Sequence, residues 1–230
     1  MKKHLFMMAA SLLIVALTAC GVVNSLIPDQ AIENPFGIDG QELILSHESS
    51  GGVSAQQVID TYSGPFDVSF ADQDVDLPNG IGPNGLKETI GFGSTITVTS
   101  ATAADADFPA TATVTASSMS IEITDGSGDP SVSKTFDANS SISVSLTKGT
   151  CSAVVLGTAC DYTLSGDHAG VIKASMTGSD FDTLFDILTE GGSPNDLSGT
   201  LSLSFQGDKA FPTDSAATVV IETTGGTLTF

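Results

Sequence analysis

Apolar and polar residues alternate in short segments through most of the chain. Aliphatic side chains recur at every second position, with serine, threonine or a charged residue between them, at 95–99, 112–116, 121–123, 142–146, 172–176, 201–205 and 219–222. Because successive side chains of a β-strand point to opposite faces, this pattern predicts strands with one buried and one solvated face. The sequence therefore predicts an all-β domain, mainly an antiparallel β-sandwich or a curved sheet forming a partial barrel.

Turn residues separate these segments. Glycine, aspartate and proline cluster at 125–130, 148–149, 166–170, 207–208 and 225–226. A longer stretch, Asn79–Gly93, holds five glycines without the spacing of a phosphate-binding loop, and we predict a long surface loop there. The alternation also changes phase, from Val114 to Ile121, which predicts a β-bulge near Ser117 and Ser118.

Two segments have helical features. Four large apolar residues share one face at helical spacing, which predicts an amphipathic helix near 179–190: Phe181, Leu184, Phe185 and Leu188. Ser179 can cap this helix, and Gly191 follows it. The helix either closes an open end of the β core or forms the wall of a cavity that binds an apolar ligand. A shorter helix is predicted at 54–60, with Ser54 as its cap.

The N-terminus has the layout of an export signal. Lys2 and Lys3 precede an apolar run at residues 5–16, which is shorter than the roughly 20 residues that a membrane-spanning helix needs. The following Leu-Thr-Ala-Cys, ending at Cys20, resembles the lipobox of bacterial lipoproteins. That resemblance implies cleavage before Cys20, diacylglycerol on its thiol and anchoring of the chain in a membrane. Gly21, in place of an aspartate, favours the outer membrane if the organism has two membranes.

The predicted organisation follows from this signal. Residues 1–19 form the signal peptide, residues 20–40 carry the lipidated Cys20 and a tether, and residues 41–230 form a single β-rich domain. A first strand at Gln41–Ser46 would begin that domain.

Charge is strongly unbalanced. All 27 acidic residues lie beyond the signal, where there are only five lysines and no arginine. The chain has seven basic residues, and two of them are Lys2 and Lys3 in the signal. Such a surface repels nucleic acid, so we expect no nucleic-acid partner. A solvated acidic surface explains the composition more simply than specific capture of cations.

Two cysteines remain after lipidation. In an oxidising compartment, Cys151 and Cys160 are expected to form a disulfide bond, since no nearby histidine or cysteine completes a metal site. The loop between them contains Val154, Val155 and Leu156. The favoured expectation is that this loop folds back onto the core; the alternative is an exposed apolar tip that contacts a protein or lipid.

Catalytic residues are scarce. Beyond the signal the chain has two histidines, His47 and His168, and no arginine, and it lacks a Gly-x-Ser-x-Gly motif. A hydrolase would need one of these histidines beside an aspartate and a nucleophile. We therefore expect no enzymatic activity and no cofactor.

One segment could bind a metal ion. Asp72, Asp74 and Asp76 alternate in a region rich in turn residues, and several carboxylates can converge on Ca²⁺. The segment departs from the EF-hand pattern, having no glycine at the sixth position and no glutamate at the twelfth. In an extended strand the three side chains would instead line a solvated face.

Together these features predict a membrane-anchored lipoprotein of the cell envelope with a non-catalytic structural or protein-interaction domain. Its partners would be the membrane, through Cys20, and an envelope protein. The alternative is a carrier or sensor of a hydrophobic ligand held inside a curved sheet that the 179–190 helix closes.

Overall fold

The computed structural model describes residues 27–54, 57–73, 75, 82–137, 144–189 and 194–230. Within these ranges it contains eleven strands in one antiparallel sheet and one α-helix. The strands are β1 (Gln30–Ile32), β2 (Glu42–Ser54), β3 (Gln57–Phe70), β4 (Gly85–Ser100), β5 (Thr111–Thr124), β6 (Ser131–Asp137), β7 (Val144–Val154), β8 (Gly157–Ser165), β9 (Ile172–Thr177), β10 (Asn195–Gly207) and β11 (Ser215–Thr229). The helix, α1, is Ser179–Thr189. The predicted all-β class with one short helix is confirmed.

The sheet closes on itself. Eight strands follow one another in the order β11, β2, β3, β10, β5, β7, β8, β4, and β4 pairs again with β11. All of these pairings are antiparallel. Closure pairs the backbone groups that an open sheet leaves at its edges. We call this arrangement the ring; the expected curved sheet is therefore a closed one.

The ring has two distinct ends. At the helix end, β3 finishes at Phe70, which pairs with Asn195 at the start of β10, and β4 begins at Gly85. Here β5 pairs with β6 instead of β7, and β4 pairs with β9 instead of β8. Helix α1 follows β9 directly and packs against β6, β9 and β4. It thereby covers the seam between β6 and β9. At the opposite end, the hairpin end, β4 finishes at Ser100 beside the hairpin formed by β7 and β8.

The predicted β-bulge is confirmed. Ser202 of β10 lies opposite Ser118 of β5, whereas the next residue, Leu203, lies opposite Ala116. Ser117 is therefore the extra residue. Because of this extra residue, the apolar side chains of β5 point to the interior of the ring both before and after the bulge.

An aromatic cluster fills the interior near the hairpin end. The centroids of the aromatic side chains of Tyr62 and Phe205 are 4.7 Å apart, and those of Phe205 and Phe211 are 5.5 Å apart. Tyr162 lies 5.6 Å from Phe211, and its hydroxyl donates a hydrogen bond to the carbonyl of Pro109. Edge-to-face contacts at these distances stabilise a core beyond simple burial. The ring interior is packed with side chains here.

Several local predictions are wrong. The helix at 54–60 is absent, because Ser54 ends β2 and residues 57–60 begin β3. Lys148 and Gly149 lie within β7, where the register with β8 shifts between Lys148 and Cys151. The predicted surface loop at 79–93 is a strand from Gly85 onward. Tertiary pairing outweighs turn propensity at these positions.

The predicted tether is too long. Residues 30–32 form β1, which pairs with β11, and Phe36 and Ile38 are buried. A bond from Gly40 N–H to the carbonyl of Ile221 further joins this segment to β11. Residues 30–40 therefore belong to the folded unit, because their apolar side chains complete its core. Among the described residues, no helix is long and apolar enough to cross a membrane.

Candidate functional site

The β7–β8 hairpin carries the predicted disulfide. Cys151 and Cys160 are cross-strand partners with Cα atoms 4.1 Å apart, and their sulfur atoms are bonded at 2.02 Å. This prediction is confirmed. An Asp105 carboxylate oxygen lies within 4.8 Å of both sulfurs. Since disulfide sulfurs are not thiolates, this group is not a metal site.

The tip of this hairpin is apolar and exposed. Val155 is 100% exposed, Leu156 76% and Val154 41%. The expectation that the loop folds back onto the core is wrong. Because β7 and β8 stay paired up to Val154 and Gly157, only two residues remain for the turn. We call Val154, Val155 and Leu156 the apolar tip.

Gly157 allows the β7–β8 hairpin to lie close to the end of β4. Its φ of +112° lies in a region that other residues rarely adopt, and a Cβ there would lie 2.0 Å from the carbonyl oxygen of Ser100. Glycine therefore lets the hairpin pass against the end of β4.

Acidic groups surround the base of the hairpin. Asp105, Asp107 and Asp161 are exposed there. The hydroxyl of Thr97 donates to Asp161 Oδ1 at 2.7 Å, and Lys148 Nζ lies 2.8 Å from Asp105 Oδ1. The hairpin thus presents an apolar tip above a mainly acidic base, and exposed apolar patches with polar rims are typical of interaction surfaces.

The described chain begins at the other end of the ring. Gln30, the first residue of β1, lies opposite Leu228 near the end of β11, at the helix end. The apolar tip is at the hairpin end. The first described residues, 27–30, therefore lie on the side of the domain away from the tip. Cys20 itself lies outside the described residues.

The predicted calcium residues are only partly described. Asp74 and Asp76 lie outside the described residues. Asp72 Oδ1 accepts a hydrogen bond from Asn195 Nδ2 at 2.8 Å, and the same nitrogen donates to the carbonyl of Ile187. Asp72 therefore helps to fix the end of α1, and the predicted grouping of three aspartates remains a prediction.

The predicted ligand-binding face of the helix is part of the core. Phe181, Leu184 and Leu188 are fully buried, and Phe185 is partly buried against the core. Ile187, which the prediction omitted, is buried as well. An open groove of about 710 Å³ lies elsewhere, across β3, β10, β5 and β6, and none of the four helix residues lines it.

His47 lies beside an aspartate, but in a closed environment. Its Nε2 is 3.0 Å from Asp60 Oδ1, and the side chains are 1% and 0% exposed. Asp60 Oδ2 accepts a hydrogen bond from Phe211 N–H at 3.0 Å. The nearby hydroxyl of Ser215 bonds to that of Tyr62 at 2.6 Å rather than to His47. Burial raises the pKa of the Tyr62 phenol, which therefore stays neutral.

His168 has a backbone partner. Its Nδ1 donates to the carbonyl of Phe92 at 2.6 Å, and Phe92 N–H donates to the carbonyl of His168. Within the part of the chain that the structure describes, neither histidine joins a carboxylate and a nucleophile in an open cleft.

Sequence reasoning missed one unusual buried group. Glu88 on β4 is only 3% exposed, and neither carboxylate oxygen has a hydrogen-bond partner among the described residues. Its pKa is raised to about 8, because burial and, to a smaller extent, the charge of Asp39 raise it by more than the nearby Thr223 hydroxyl lowers it. The alternation Leu86, Glu88, Ile90 would have revealed a glutamate in an apolar row, but the surrounding glycines suggested a loop.

Comparison with known proteins gives no relative. Neither family models, nor curated protein sequences, nor solved structures match this chain. The function must therefore be argued from the residues themselves.

Proposed function

We propose that the protein is a lipid-anchored lipoprotein of the cell envelope, in the outer membrane if the organism has two, and that its β-domain binds another envelope protein. The exposed apolar tip of the β7–β8 hairpin carries this proposal. The Cys20 motif supports the anchor, and the closed sheet supports a rigid, non-catalytic domain.

The hairpin has the properties of a binding anchor. Burying an exposed valine or leucine side chain contributes about 1.5–3 kcal/mol. The disulfide holds the tip above paired strands, so little conformational entropy is lost on binding. The acidic residues at its base complement a partner with basic residues around an apolar pocket.

The position of the tip favours a protein partner over the anchoring membrane. The ten residues from Cys20 to Asp29 span at most about 35 Å, whatever their conformation. Strand β4 alone has 16 residues and extends about 50 Å along its own axis. Since Gln30 lies at the helix end, an anchor on Cys20 favours an orientation with the tip away from the lipid surface.

The alternative of a hydrophobic carrier receives less support. The apolar face of α1 is packed in the core, and aromatic side chains fill the interior near the hairpin end. The described groove lies on another part of the sheet, is open, and mixes polar residues such as Asp67, Glu122 and Lys134 with apolar ones.

Lipidation is tested by labelling with radioactive palmitate. We expect label in the wild-type protein and none in Cys20→Ala, which should also accumulate unprocessed. Labelling that survives this substitution, or normal maturation of the unlabelled variant, would remove the anchor from the proposal.

Partner binding is tested by placing a photo-crosslinking amino acid at Val155 in living cells. The matched control is Ile44, a single exposed apolar residue on β2 that is 62% exposed. We expect a discrete protein crosslink from position 155 and none from position 44. The double variant Val155→Ser, Leu156→Ser should remove the same protein from a second crosslinking position at Ala153. Equal crosslinking from positions 155 and 44 would contradict a specific hairpin interface.

A further inference from the structure

A bulge in β11 lies against the buried Glu88. Thr223 pairs with Ile90 and Gly226 pairs with Glu88, so Thr224 and Gly225 face the single residue Thr89. Gly225 has φ +81°, as expected for such a bulge. At this interruption of the β4–β11 pairing, residues from neighbouring segments can approach the Glu88 carboxyl.

Asp39 and Thr223 bring further oxygen atoms to this place. Thr223 N–H donates to Asp39 Oδ1 at 2.7 Å, and the Thr223 hydroxyl lies beside the Glu88 carboxyl. Asp39 is exposed, whereas Glu88 is buried. Thr223 therefore lies beside two carboxyls, one exposed and one buried.

A buried carboxyl without a partner is costly. Removing a polar group from water without a compensating bond is unfavourable, and more so if the group is charged. Elsewhere in the described chain, the buried Asp60 has His47 and Phe211 N–H as partners. Both carboxylate oxygens of Glu88 lack such a partner among the described residues, and the charge that acts on them, on Asp39, has the same sign. A cation held between these two carboxyls would supply the partner that Glu88 lacks and would offset both negative charges.

We propose that Glu88, Asp39 and Thr223 form a binding site for a hard divalent cation, with Ca²⁺ as the ion that fits it best. The side chains offer only oxygen atoms, which Ca²⁺ prefers, whereas Zn²⁺ prefers nitrogen and sulfur. Ca²⁺ accepts irregular geometry with six to eight oxygens, and waters at the exposed Asp39 side complete the shell. The ion replaces the proton of the Glu88 carboxyl, which passes to the buffer.

This site would clamp the segment between β1 and β2 onto the ring. Asp39 belongs to that segment, whose Phe36 and Ile38 side chains are buried, while Glu88 and Thr223 belong to β4 and β11. The site is independent of the proposed partner and of the apolar tip.

The full chain, purified in detergent and freed of metal with EDTA, provides the test. CaCl2 is titrated by calorimetry, and thermal unfolding is followed with and without CaCl2 or MgCl2. We expect one Ca²⁺ per chain and a rise in Tm of several degrees, with a smaller response to Mg²⁺.

Four variants decide where the ion binds. Glu88→Gln and the exposed-side variant Asp39→Asn should each weaken Ca²⁺ binding at least tenfold. Asp167→Asn, an exposed acid in another loop, and Asp72→Asn, from the earlier calcium candidate, should bind as the wild type does. The absence of stoichiometric binding, or binding that survives Asp39→Asn and Glu88→Gln, overturns the proposal. Loss of binding only in Asp72→Asn also overturns it.

Discussion

His47 Nε2 lies 3.0 Å from Asp60 Oδ1 inside the ring of strands, where neither side chain reaches solvent. The same aspartate accepts a hydrogen bond from the backbone of Phe211, in the segment between β10 and β11. Asp60 thus joins two strands and a connecting segment at the hairpin end.

Asp60→Ala should destabilise the fold by about 3–5 kcal/mol, because it leaves His47 and Phe211 N–H buried without this acceptor. Urea unfolding at neutral pH measures the change. Asp67→Ala, an exposed position on the same strand, should stay within about 0.5 kcal/mol of the wild type. Similar losses in the two variants would show that Asp60 is not a structural link.

Replacing both Cys151 and Cys160 by serine should lower the free energy of unfolding by about 2–3 kcal/mol, since the loop that the disulfide closes is short. The rest of the ring does not depend on this bond, so the variant should still fold. Circular dichroism and urea unfolding provide the measurement, and the wild type with reductant serves as a control that should match the variant. An unchanged midpoint would argue against a stabilising disulfide.

Gly199→Ala should destabilise the protein by about 1–3 kcal/mol, because the added methyl overpacks the wall of the ring. A Cβ there would lie 2.3 Å from the carbonyl oxygen of Ser120 and 2.4 Å from the Phe66 ring. Gly82→Ala is the matched control, since nothing lies within 4 Å of its Cβ position. Thermal unfolding of the two variants compares them directly, and equal Tm values would contradict close packing at Gly199.

Glu88→Gln should change how stability depends on pH in the presence of EDTA. The folded-state pKa of about 8 exceeds the usual 4.5, so the folded state binds more protons than the unfolded state between these values. The contribution of Glu88 to stability should therefore be fully present below pH 4.5 and be lost as pH rises toward 8. The glutamine variant lacks this loss and should be more stable at pH 9, by on the order of 3 kcal/mol.

Urea unfolding of the wild type and Glu88→Gln at pH 4, 6 and 9 checks this sign. The difference between the two proteins should grow with pH. Parallel curves would mean that Glu88 does not titrate in a buried environment.

Local chemistry made much of the fold predictable. Alternation predicts strands because it depends only on neighbouring residues, and the phase change beside Val114 predicts the extra Ser117. The face shared by Phe181, Leu184 and Leu188 predicts α1 for the same reason. The cysteine pair follows from the number of cysteines and the compartment.

Closure of the ring could not be predicted in this way. The alternation of β4 and β11 suits a sandwich as well as a ring, and only their mutual pairing, over more than one hundred residues of sequence, distinguishes the two. The glycines at 85, 91 and 93 are typical of a loop, although they lie within β4. Gly91 is needed because a Cβ would lie 2.3 Å from the carbonyl oxygen of His168, a contact that sequence does not reveal.

The candidate site was only half predictable. The cysteines locate the hairpin, but the exposure of Val155 depends on β7 and β8 remaining paired up to the turn. Glu88 could not be predicted for a related reason. Its position among inward-facing apolar residues is recognisable only once β4 is known to be a strand.

The double pairing of β11 determines when the domain can be completed during synthesis. Strands β1, β2 and β4 all bond to β11, which is synthesised after all three of them. A chain that emerges N-terminus first must keep these three earlier strands without their partner until residues 215–229 arrive. Until then the strand edges that pair with β11 are unpaired. The topology therefore requires that a chaperone or delayed release shields them during biogenesis.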